Sequence, residues 1–168
     1  MPMLQVRAAT PLDVPFIVAL VRELAEYERA PQEAKADDAM MRTALFGEPR
    51  AAEALIGEVD GVPQGIAVFF HNFSTWTGRR GMYLEDLFVR PSARGVGLGA
   101  ALLRAVAGIA VERGCPRMDW LVIDWNEPAI GFYKSLGAVA LDGWTVFRLS
   151  GESLTRVAAE TATPDADR

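Results

Sequence analysis

The chain predicts one α/β (α+β) domain on a mixed sheet, with element order β-α-α-β-β-β-α-β-α-β-β. Three observations carry this. Apolar residues recur at helical spacing in several stretches, and shorter apolar runs lie between turn residues. The two kinds interleave with no linker or repeat between them. A length of 168 residues is one domain's worth, and 51% hydrophobic residues can fill its core.

Residues 4–8 read as a first strand. Thr10 caps the next helix, with Pro11 at its first position and Asp13 at its third. Phe16, Ile17, Leu20, Val21 and Leu24 give that helix its apolar stripe up to about residue 29. A polar link and a short helix over 37–46 follow. Residues 51–58 and 62–71 flank Asp60-Gly61, a hairpin turn signal. Residues 72–81 read as a loop and 82–90 as a strand. The helix over 97–113 places Leu98, Leu102, Ala105 and Ile109 on one side and ends at Gly114. A strand is expected over 117–124. A helix capped by Asn126 is expected over 127–136, ending at Gly137. Strands near 138–141 and 144–149 and a helix over 151–158 complete a domain spanning 1–158. Residues 159–168 are polar and are expected to be a disordered tail.

Net charge is −5, which argues against a general nucleic-acid binder. An acidic chain attracts a cationic substrate. One cysteine, Cys115, and one histidine, His71, make neither an internal disulfide nor a zinc set. This fits a reduced, cytoplasmic setting with no metal. No signal peptide and no membrane-length apolar run is read.

Residues 94–100 are Arg-Gly-Val-Gly-Leu-Gly-Ala, placed between a strand and a helix. Glycines there leave the amides of a helix N-terminus uncovered, which suits phosphate oxygens. The same residues satisfy the dinucleotide pattern, with Asp124 near the expected acid. Against that, Pro91-Ser92-Ala93-Arg94 separates the glycines from the strand, and too little chain follows for a dinucleotide fold. A ligand-free, flexible helix start is a further reading. Its exposed backbone would cost about 0.5–1 kcal/mol per glycine.

Glu85 and Asp86 stand mid-strand in Tyr83-Leu84-Glu85-Asp86-Leu87-Phe88-Val89. Acids are depleted in strands, and alternation sends the two to opposite faces. One must therefore enter an apolar layer, where it is paired, hydrated or functional. Ion pairing to Arg79, Arg80 or Arg90 is the structural alternative to a base or an anchor for a cationic amine. Tyr133 is either a half-buried core tyrosine or a proton donor at a cleft.

Together these segments resemble the GNAT superfamily of acetyl-CoA-dependent N-acetyltransferases. Arg94, Gly97 and Gly99 fit its R/Q-x-x-G-x-G/A signature. Tyr83-Leu84-Glu85-Asp86, Trp125-Asn126-Glu127-Pro128, Phe132-Tyr133-Lys134, Gly137-Ala138 and Glu23-Leu24-Ala25-Glu26-Tyr27-Glu28 are similar to its diamine (spermidine/spermine) and thialysine branch. The resemblance covers roughly residues 5–150. It implies the GNAT fold, with about seven mostly antiparallel strands flanked by helices. It implies that Leu87, Phe88 and Val89 present backbone to acetyl-CoA, and that Gly95, Val96, Gly97, Leu98, Gly99 and Ala100 hold its pyrophosphate beside Arg94. Asn126 would also touch that cofactor. Tyr133 would be the general acid and Glu85 the base or relay. Tyr27, Glu28, Glu85 and Asp86 would line the amine site, with Asp142 and Trp144. The loop at 72–81 departs from the family pattern, with Trp76 its one recognisable element.

The expected activity is direct acetyl transfer, in a ternary complex, to a primary amine of a small cation such as a polyamine or thialysine. Cys115 offers no covalent route. The alternatives are a protein lysine acetyltransferase and a non-catalytic acyl-CoA-binding module. A homodimer without nucleic-acid or membrane partners is also expected.

Overall fold

A computed structural model describes residues 1–159. They group into two compact units, Met1–Trp125 and the segment from Asn126 onward. Each is described by itself. The expected tail lies, from residue 160 on, outside the described residues.

The first unit holds one sheet, in the order β1 (Leu4–Ala8), β2 (Glu53–Val59), β3 (Val62–Ser74), β4 (Arg79–Val89), β5 (Met118–Asp119). The first four strands form an antiparallel meander, and β5 lies parallel to β4. Asp60 (φ 51°) and Gly61 (φ 76°) make the β2–β3 turn with both central residues left-handed, as a two-residue hairpin of this twist requires. Of residues 72–81, expected as a loop, only 75–78 form the turn; 72–74 and 79–81 continue the ladder. Phe73 pairs with Arg80 and Ser74 with Arg79.

Helices cover both faces. Residues of α1 (Val14–Tyr27) and α2 (Asp38–Phe46), namely Ile17, Leu20 and Leu45, pack with Ile56, Ile66, Val68 and Phe88 of the sheet. The neighbouring positions Gly57 and Gly65 point to the other face, against α3 (Leu98–Glu112). A Cβ on Gly57 would lie 3.0 Å from methyls of both Leu98 and Leu102, so glycine there lets α3 settle on the sheet. Burying each of these leucines contributes about 2 kcal/mol. Thr10 starts the first helical segment. Its amide and its hydroxyl both donate to Asp13, at 2.7 and 2.9 Å.

The second unit contains α4 (Glu127–Ser135) and α5 (Gly151–Ala159). Asn126 Oδ1 accepts the Ala129 amide at 3.3 Å, and Gly137 (φ 88°) follows the helix end.

Among the described residues the sheet therefore has five strands where about seven were expected. Over the described residues, 138–141 and 144–149 have no ladder partner, so alternation alone did not make them strands. The strand expected over 117–124 shrinks to Met118–Asp119. Only Met82↔Met118 and Tyr83↔Asp119 pair before the chain departs from β4.

Candidate active site

That departure leaves β4 without a ladder partner on its β5 side beyond Tyr83. The free stretch includes Leu87, Phe88 and Val89, the residues expected to offer backbone to a ligand.

The carboxyl end of α1 is anchored to this stretch. Arg90, just past β4, donates to Glu23 of α1, with Nη2 to Oε1 at 2.7 Å and Nε to both oxygens at 3.1 Å. Its guanidinium also lies over the Phe16 ring, at 5.3 Å. Tyr27 and Glu28 are thereby held beside β4.

β4 carries a bulge at this place. Val68 pairs with Asp86 and Phe69 with Leu84, so Glu85 is the extra residue. Glu85 is exposed. Asp86 sits opposite Val68 and two residues before Phe88, both in the α1-side core, so it faces that layer. Among the described residues neither acid has a salt bridge; Arg90 is taken by Glu23, which rules out the expected ion pairing. Burial, with Glu85 and then Glu28 as like charges, pushes the Asp86 carboxyl up to about 6. Burial also raises the Glu28 carboxyl.

Seven carboxylates of the first unit are buried or half-buried: Asp13, Glu23, Glu28, Glu53, Glu58, Asp86 and Asp119. Five of them hold an arginine. Of the two that do not, Glu28 and Asp86, Glu28 adds to the cost of ionising Asp86, while burial alone raises Glu28.

The glycine loop adjoins them. Gly95 (φ 83°) and Gly97 (φ 93°) take left-handed backbone that other residues rarely adopt. Gly97 caps α3 with no side-chain hydrogen bond, so the amides of Leu98, Gly99 and Ala100 open the helix uncovered. Arg94 Nε donates to the Val89 carbonyl at 2.9 Å. Its guanidinium lies 5.6 Å from the Phe88 ring and 5.0 Å from the Tyr27 ring. Uncapped amides, a fixed arginine and an unpaired strand edge fit the diphosphate and amide arm of coenzyme A.

Sequence reasoning assigned no role to Trp125 or Arg29. The Trp125 and Tyr27 rings meet at 5.9 Å, tilted by 50°, and Arg29 lies over Trp125 at 4.4 Å. The one signal in the sequence was an arginine standing where α1 must stop.

The remaining expected residues are in the second unit. Asn126 caps α4. Tyr133 is half-buried on α4, its ring 5.3 Å from Phe132. Asp142 and Trp144 are exposed in the segment after it. Cys115 is buried, its sulfur 3.8 Å from His71 Nδ1. No helix of the described residues is long and apolar enough to cross a membrane.

Comparison with known proteins agrees with this geometry. The profile of the acetyltransferase (GNAT) family matches residues 17–138. A thialysine N-epsilon-acetyltransferase of Bos taurus is 37% identical, over 95% of this chain and the relative's whole length. An L-ornithine N5-acetyltransferase of Arabidopsis thaliana is 30% identical, over 91% of this chain and 87% of its own. The solved structure of an integron cassette protein from the V. cholerae mobile metagenome superposes with a TM-score of 0.78. It is 27% identical, covering 94% of this chain and 98% of that one. The uncapped glycine loop, the open strand edge and these relatives lead to one assignment: the chain belongs to the GNAT family of acetyltransferases, in its thialysine and diamine acetyltransferase branch.

Proposed function

We propose that this protein moves the acetyl group of acetyl-CoA to a primary amine of a small cationic molecule, by direct transfer in a ternary complex. The observation that carries this is the Glu28–Asp86 pair, the two enclosed carboxylates of the first unit that no arginine neutralises. A bound ammonium would supply the missing charge and bring the Asp86 carboxyl back down toward its ordinary range.

Acetyl-CoA, when bound, supplies an activated thioester. Gly95, Val96, Gly97, Leu98, Gly99, Ala100 and Arg94 would hold its diphosphate, and Leu87, Phe88 and Val89 its amide arm. The Leu87 amide would stabilise charge on the reacting carbonyl oxygen. An alkylammonium with a pKa near 10.4 needs roughly 4.6 kcal/mol to lose its proton at pH 7. Asp86 would take that proton, and exposed Glu85 would pass it through water to solvent. Tyr133 would protonate the departing sulfur and Asn126 would contact the cofactor. Both roles rest on the family motif around α4. Asp142 and Trp144 would border the amine.

Pairing as a homodimer in the cytoplasm belongs to the same reading. Exposed Trp144, Val146 and Phe147 offer apolar surface for it.

The test is thiol release from acetyl-CoA across a panel of diamines, ω-amino acids and lysine peptides at several pH values. Small amines should be acetylated and peptides should not. Turnover on peptides alone would move the protein to the lysine acetyltransferase reading, and binding without turnover would make it an acyl-CoA-binding module. Tyr133→Phe should lower kcat far more than acetyl-CoA affinity. An unchanged kcat would remove its role as an acid.

A further inference from the structure

Three helices of this chain end on a residue in the left-handed region: α3 on Gly114 (φ 70°), α4 on Gly137 (φ 88°) and α1 on Arg29 (φ 62°). The α1 end closes with Arg29 N donating to Glu26 O at 3.0 Å and Ala30 N to Ala25 O at 2.9 Å. This bonding pattern favours glycine at the left-handed position. An L-residue there is strained, and strain held in place is a pointer to use.

The Arg29 guanidinium carbon lies over the Trp125 ring, 4.4 Å from its centre. The Trp125 ring in turn meets that of Tyr27, the residue before Glu28, at a tilt of 50°. Among the described residues Arg29 has no carboxylate partner. Arg29 is exposed, and a guanidinium so placed over a ring can still grip a carboxylate with two bonds. The aromatic face shields one side from water, which strengthens such a grip.

A cation without a carboxylate partner therefore follows Glu28 directly in the chain, and Glu28 is one of the two enclosed carboxylates that lack a cation. A diamine carries a positive charge at each end, and its far end would be repelled by Arg29. An ω-amino acid has an ammonium for Glu28 and Asp86 and an α-carboxylate for Arg29. We infer that Arg29 is a specificity residue that binds the α-carboxylate of the acceptor, so that the amine substrates are ω-amino acids in preference to their decarboxylated diamines. This rests on the proposed amine site.

Matched pairs isolate the carboxylate: ornithine against putrescine, and lysine against cadaverine. The full chain, with acetyl-CoA, should show a higher kcat/KM for each amino acid than for its diamine. Arg29→Gln should cut the amino-acid kcat/KM tenfold or more, through KM with kcat nearly held, and collapse the ratio. Arg29→Lys should restore part of it, and Arg29→Glu should reverse the preference. Arg29→Gly suits the helix end, so it should keep or raise Tm while losing the ratio, which separates recognition from folding. A wild type that takes diamines as readily as amino acids, or a ratio that Arg29→Gln leaves in place, overturns this inference alone. Absence of thiol release with every amine overturns it together with the proposed function.

Discussion

Two groups of enclosed carboxylates in the first unit differ in one respect, the company of a guanidinium. At the Arg7 cluster, Nε donates to Glu58 at 2.8 Å, and Nη1 and Nη2 donate to Asp13 at 2.8 Å each. Hydrogen bonding from Arg7 holds the Asp13 carboxyl down at about 2. At the β4 bulge, Asp86 has no such donor, and burial drives its carboxyl the opposite way, to about 6. The same side-chain chemistry is thus fixed as an anion in one place and poised to exchange a proton near neutrality in the other. The first arrangement stabilises the fold, and the second costs stability, a cost that a bound amine would offset in the proposed function.

The largest expected effect breaks the second group. Asp86→Asn keeps the shape and removes both charge and basicity, so kcat/KM for amines should fall by about 10²–10⁴, the range for loss of a general base. Steady-state kinetics across pH measures it. A variant within threefold of wild type would hand the proton-accepting role back to Glu85. Acetyl-CoA binding, checked by calorimetry, should survive, because the proposed diphosphate contacts are backbone amides at the start of α3 that Asp86 does not supply.

The next effect breaks the first group. Arg7→Met keeps much of the side-chain volume and leaves Asp13 and the buried Glu58 unpaired. Removing one partner of an enclosed ion pair costs about 3–5 kcal/mol. Partial exposure of Arg7 puts this case at about 2–3 kcal/mol. Urea unfolding should show the loss while kcat/KM stays near wild type. A large drop in turnover at unchanged stability would mean that the two groups are not separable as described.

The contrast also marks how much the sequence could say. Helix caps, the Asp60-Gly61 hairpin and the glycine loop were legible because each depends on a few neighbouring residues. Position 86 was half legible. Two acids in an apolar strand required that one be enclosed, but strict alternation could not say which, because the bulge at Glu85 shifts the pattern by a residue. Whether Asp86 meets an arginine depends on where Arg90 goes, and Arg90 is taken by Glu23, 67 residues away in the chain. The Trp125–Arg29 contact is equally remote in sequence and carries no motif. Residues 138–149 taught the converse lesson. An alternating apolar pattern is a condition for a strand, yet a strand also needs a partner edge.

The smallest effect sharpens the comparison by putting both groups on one pH axis. Asp13 has a folded pKa below the ordinary value of 3.8, so its stabilisation is complete above about pH 4 and is lost as pH falls toward 2. Asp86 has a folded pKa above 3.8, so the sign reverses. Below about pH 4 it is neutral folded or unfolded and costs nothing. From about pH 4 to 6 the unfolded chain ionises first, stability falls, and above 6 the penalty is constant at about 2–3 kcal/mol. Asp86→Asn has no proton to lose. Its Tm should therefore match wild type near pH 4, climb above it through 6, and keep that lead at 7.5. A lead that is already full at pH 4 would assign the gain to packing. A wild type more stable than the variant at neutral pH would mean that Asp86 has a cationic partner within the fold, and the distinction between the two groups would collapse.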